Sequence, residues 1–68
     1  MTDTVKLKQK IKESGYRISY IANALDLSYY GFKKKVDNKS EFKASEIQVL
    51  CDLLKIHGKE REMIFFSA

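Results

Sequence analysis

The stretch ISYIANALDLSYYGFKKKV, residues 18–36, carries two helical signatures separated by a short break. Ile18, Ile21, Ala22 and Leu25 recur at the i, i+3, i+4, i+7 spacing that lines one face of an α-helix. Asp26 and Leu27 interrupt the pattern, and the hydroxyl of Ser28 suits the cap of a new helix, because it can accept from amides that have no partner in the first turn. Phe32 and Val36, one turn apart, define the apolar side of that second helix, over about residues 28–36. Two short helices joined this closely cannot lie antiparallel side by side, so they are expected to cross steeply as a helix-turn-helix.

With residues set about 100° apart around the second helix, Tyr30 and Lys34 fall nearly opposite Phe32 and Val36, and Lys33 falls on the flank. Tyr29 lies nearer the core edge, with its ring expected against Ile21 or Leu25. A helix with this outer face fits the major groove of double-stranded DNA, about 12 Å wide. Lys33 or Lys34 can donate to guanine O6 or N7, and a tyrosine can meet a thymine methyl, a base edge or a phosphate. Three consecutive lysines spread over about 200° of helix surface, so one must point away from the groove centre; Lys35 is expected on a phosphate. Gly31 has two readings: close approach of this helix to its neighbour or to the DNA backbone, or tolerance of glycine in a short helix.

Outward from this unit the chain is helical throughout. Val5, Leu7 and Ile11 alternate with lysines in a first helix that should end at Ser14-Gly15, where glycine accepts a left-handed turn. Asp37-Asn38-Lys39-Ser40 reads as a turn, and Phe42 as the anchor that holds the following loop on the core. Ile47, Leu50, Cys51 and Leu54, widened by Val49 and Leu53, form the most apolar stripe, with Glu46 in its first turn. After His57-Gly58, KEREMIFF is expected to form a last short helix. The expected fold is all-α, a compact bundle of about five short helices.

With 68 residues, 44% hydrophobic and 32% charged, the chain makes one domain over 1–68, with no room for a separate substrate lobe. No paired carboxylates, catalytic triad or phosphate-cradling loop is present, so no enzymatic activity, small-molecule substrate or cofactor is expected. One cysteine excludes an internal disulfide; Cys51 sits on an apolar stripe as a small buried hydrophobe, and His57 lacks the companions a metal site needs. No apolar run reaches the roughly 20 residues of a membrane span and no secretion signal opens the chain, so a reducing cytoplasm is the expected compartment. The net charge of +4 is unevenly placed. Residues 1–17 and 33–43 each carry five basic and two acidic groups, whereas 44–68 carry three and four. Positive charge flanks the middle of the chain, as expected if that region faces phosphate. Helix N-termini need a nearby cation to hold phosphate, which nominates Arg17 and Ser19 before the second helix, Lys43 and Ala44 before the fourth, and Asn38 and Lys39 between.

The segment ISYIANALDLSYYGFKKKVDNKSEFKASEIQVLCDLL resembles the helix-turn-helix of the Cro and phage-repressor group of the Xre-type family, over about residues 11–57. The resemblance rests on Ile21-Ala22, Leu25, Ser28, Phe32, Asn38-Lys39 and Glu46-Ile47, and the GF…K…KSEFKASEI run is similar to small phage-encoded regulators of that group. It implies a lambda-repressor-like domain in a bacterial cell, dimeric on a palindromic operator, reading bases through Ser28, Tyr29, Tyr30, Lys33 and Lys34. Two positions depart from the pattern. Asp26 stands where the family usually has a turn glycine, and Ile18 stands where a glutamine often bonds a phosphate, a role left to Arg17 or Ser19. Within the 58–68 segment, Met63, Phe65 and Phe66 are expected to form the dimer surface, the alternative being that they fold back on the first helix. The competing functional class is a protein-binding adaptor, such as the partner of an antirepressor, that turns its basic face and apolar tail to an acidic protein.

Overall fold

Five α-helices follow one another in the computed structural model, which describes residues 1–66: α1 Thr4–Ser14, α2 Ile18–Ala24, α3 Tyr29–Val36, α4 Ala44–Leu54 and α5 Gly58–Phe65. No strand occurs among the described residues, and no helix is long and apolar enough to cross a membrane. The last two positions of the 58–68 segment lie outside the described residues.

Left-handed residues set the helix ends. Gly15 closes α1 at φ 74°, as its sequence position requires. Asp26, Asn38 and Lys55 take the same conformation without being glycine, at φ 59°, 62° and 58°. After α2, the Leu27 N–H donates to the Ala22 carbonyl (2.9 Å) and the Asp26 N–H to the Asn23 carbonyl (3.0 Å), the paired bonds of a Schellman motif. After α3 the same pair runs from Lys39 to Lys34 (2.8 Å) and from Asn38 to Lys35 (3.2 Å). Aspartate and asparagine tolerate this backbone, whereas lysine gains nothing from it.

Every helix contributes to one core. Leu7 and Ile11 of α1, Ile21 and Ala22 of α2, Phe32 and Val36 of α3, Ile47, Leu50, Cys51 and Leu54 of α4, and Ile64 and Phe65 of α5 are buried, as are Leu25 and Ile56 between helices. Burial pushes the Cys51 thiol up, against the pull of Arg61, so it stays protonated and inert. Phe42 holds its loop by edge-to-face contact with Phe32 (centroids 6.1 Å apart) and with Phe65 (5.7 Å). Two expected core residues are outside it: Val5 is 79% exposed and Val49 40%. α1 buries only Leu7 and Ile11, four residues apart, and Val5 is out of phase with that narrow seam.

The amino terminus is tied to the end of α3 and to α5. The Asn38 side-chain oxygen accepts from the Thr2 N–H (3.0 Å), and its amide nitrogen donates back to the Thr2 carbonyl. The Thr4 hydroxyl donates to the Val36 carbonyl (2.7 Å), and the Asp3 N–H to the Ile64 carbonyl (2.6 Å). The two unusual helix ends should therefore respond oppositely to glycine. Lys55→Gly should raise stability by about 0.5 kcal/mol by relieving the backbone. Asn38→Gly gains the same relief but loses the Thr2 bonds, for a net loss of about 1 kcal/mol. Urea unfolding midpoints of the two variants check the pair.

Candidate nucleic-acid interface

The α2–turn–α3 unit occupies the segment expected for it. Four residues, Leu25–Ser28, connect the helices. The Schellman pair on Asp26 fixes the end of α2, and Ser28 opens α3 by accepting from the Gly31 N–H (3.0 Å). Gly31 gains a reason here that differs from close helix approach. A Cβ at that position would meet the Ser28 hydroxyl oxygen at 3.1 Å, so glycine leaves room for the cap itself. The Ser28 hydroxyl, expected on a base, is engaged inside its own helix.

Tyr30 is 77% exposed and Lys34 is exposed beside it on the outer side of α3. Tyr29 is 54% exposed and lies outside the core cluster, more open than its place on the helical wheel indicates, because it begins the helix and no further turn covers it. Lys33 is half-buried on the α1 side. Neither Lys33 nor Lys34 forms an ion pair among the described residues.

Two residues expected on phosphates are structural instead. Lys35 points into the bundle, where its ammonium lies 2.6 Å from Glu46 Oε1, with side-chain exposures of 13% and 9%. The same carboxylate oxygen accepts the Lys43 N–H (2.8 Å) at the start of α4, one half of a capping box; the lysine side chain has no acceptor to form the other half. Burial pushes the Glu46 carboxyl up, but the hydrogen bonds from Lys35 and from the Lys43 backbone, with both lysine charges, outweigh it and leave the carboxyl below its ordinary range. Asn38 is committed to Thr2. Both pairings join residues 11 and 36 positions apart, beyond the reach of any local pattern.

Arg17, Ser19, Lys39, Lys43 and Ala44 remain on the surface. Arg17 and Lys43 stand at the N-caps of α2 and α4 without a capping side-chain bond. Two residues absent from the expected set join this region: Tyr16 (42% exposed) and Tyr20 (54%) stack with ring centroids 5.2 Å apart. Their i, i+4 spacing around Arg17 is the signal that would have found them. All four tyrosines of the chain are thus exposed, from α2's approach to the first turn of α3. Compared with family models, curated proteins and solved structures, the chain has no significant match in any of the three.

Proposed function

We propose that this chain is a sequence-specific double-stranded DNA-binding regulator, a repressor of the phage or prophage type acting in the bacterial cytoplasm, with α3 in the major groove. The observation that carries the reading is the outer side of α3, where Tyr30 and Lys34 stand exposed on a helix fixed at both ends, at Ser28 and at Asn38. A rigid mount is what base readout needs, since hydrogen bonds to base edges discriminate only when the donor is held in place. Tyr29 and Lys33 flank these two, and Arg17, Ser19, Lys39, Lys43 and Ala44 supply the phosphate contacts. Selection from a random DNA pool, followed by affinity measured across salt, tests the proposal. A consensus should emerge, and affinity should fall by roughly one power of salt per phosphate contacted. Enrichment without any consensus would remove it.

We infer dimerisation on a palindromic site, with a self-association surface smaller than the sequence indicates. Met63 (50% exposed) and Phe66 (60%) remain available, but Phe65 is 4% exposed and belongs to the core. Phe66→Ser should leave the fold intact and shift sedimentation toward the monomer, while Phe65→Ser should cost stability first, by about 3 kcal/mol. Unchanged sedimentation of folded Phe66→Ser would place the interface elsewhere. A protein-binding adaptor is the second reading, favoured by the four exposed tyrosines, a residue type enriched at protein–protein hot spots. An adaptor would show no DNA sequence preference.

A further inference from the structure

The two ends of α3 are held in different ways. Ser28 caps the first turn within its own helix, so that cap ties α3 to no other element. The carboxyl end is held from across the chain. The Val36 carbonyl is among those that a helix end leaves without an intrahelical donor, and the Thr4 hydroxyl supplies one at 2.7 Å. The same hydroxyl accepts from the Asn38 amide nitrogen (3.2 Å), and Asn38 holds the Thr2 backbone through both its side-chain oxygen and its nitrogen. Between Thr2 and Thr4, the Asp3 N–H donates to the Ile64 carbonyl of α5 (2.6 Å). Residues 2–4 thus run as a strap from the last turn of α3 to α5. The nearby Lys8–Asp37 pair (3.2 Å) is exposed and adds little. Lys35 also joins α3 to another element, but a methionine there keeps the packed stem and with it the seat of the helix.

We propose that Thr4 and Asn38 are positioning residues for base recognition, acting through the end of α3 and not by contact with DNA. The consequence rests on the DNA-binding reading; the geometry rests on the bonds above. Eight residues at about 1.5 Å each make α3 about 12 Å long, so a tilt of about 10° about the Ser28 end moves its last turn by about 2 Å. Lys33 and Lys34 lie in that turn. Such a shift spoils the length and angle that a hydrogen bond to a base edge requires. Attraction to phosphate, set by charge over a longer distance, barely changes.

Thr4→Val removes the hydroxyl at nearly constant shape, Thr4→Ser restores it, and Asn38→Gly keeps the left-handed backbone without the side chain. Residual dipolar couplings of the free chain, read for α3 amides against those of α4, test the geometry without DNA. Thr4→Val and Asn38→Gly should turn α3 relative to α4, and Thr4→Ser should not. Anisotropy on a selected operator and a scrambled duplex tests the consequence. For Thr4→Val the ratio of operator to scrambled affinity should fall by about fivefold or more, with scrambled affinity and salt slope unchanged. Thr4→Ser should keep the ratio. So should Ile56→Val, which loosens the buried α4–α5 connection without touching the end of α3. An α3 that does not turn, an unchanged ratio for Thr4→Val, or an equal fall for Ile56→Val would overturn the proposal. A chain that selects no operator removes the DNA reading, while the couplings still decide whether Thr4 and Asn38 hold α3.

Discussion

Glu46→Ala should cost the folded chain about 3 kcal/mol, because it strands the Lys35 ammonium in the bundle and frees the Lys43 amide at the start of α4. That is a third or more of the roughly 3–10 kcal/mol expected for a domain of this size. The dependence on acid follows from the same group. Its folded pKa is lowered, so the unfolded chain binds the proton more tightly. The stabilisation is complete above the unfolded value, about 4.3, and drains away as pH falls through the lower folded value. Glu46→Gln keeps an oxygen for the Lys43 amide, so it should lose less than alanine and flatten this part of the acid limb. Urea midpoints between pH 2.5 and 7 read both effects; a loss under about 1 kcal/mol for Glu46→Ala would mean that solvent screens the pair. Replacing Lys35 and Glu46 together by methionines should recover much of the loss, since the penalty is in the unpaired charge more than in the missing bond.

Tyr30→Ala combined with Lys34→Ala should lower affinity for a selected operator by about two orders of magnitude or more, each base contact being worth about 1–3 kcal/mol. Discrimination between operator and random DNA should collapse with it. Lys39→Ala should act differently, weakening all sequences alike and reducing the salt slope by about one. Lys35→Met separates structure from recognition: it should destabilise the fold but leave operator affinity within about twofold once the protein is folded, because its ammonium faces Glu46. Anisotropy titrations of the three variants on one operator and one scrambled duplex suffice. An unaltered affinity for the Tyr30/Lys34 double variant would remove α3 as the reading element.

The parts of the fold legible in the sequence are those governed by local periodicity. Ile18 to Leu25 and Ile47 to Leu54 repeat at helical spacing, so α2 and α4 could be placed by counting, and Ser28 marks the start of α3 because a cap acts only three residues away. The run Met63-Ile64-Phe65-Phe66 defeats the same method. Four apolar residues in succession carry no phase, and only packing decides that Ile64 and Phe65 turn in while Met63 and Phe66 turn out. Lys55 gives no warning of a left-handed turn, because its side chain has no local reason to adopt one. At the candidate interface, Tyr30 and Lys34 were legible as the outer side of a helix. Lys35 and Asn38 were not, because what claims them arrives from Glu46 and Thr2, distant in the chain.

The bond from the Asp3 amide to the Ile64 carbonyl makes the chain almost a closed ring. Its beginning and its last described residues share one corner of the molecule, where Met1 and Phe66 line a common cavity. A purification handle or fluorescent partner appended before Met1 is therefore delivered to the corner where Phe66 lies, and would obstruct the self-association proposed for that residue. An insertion between Lys39 and Glu41 would reach the same place, because Asn38 and Glu41 line that cavity too.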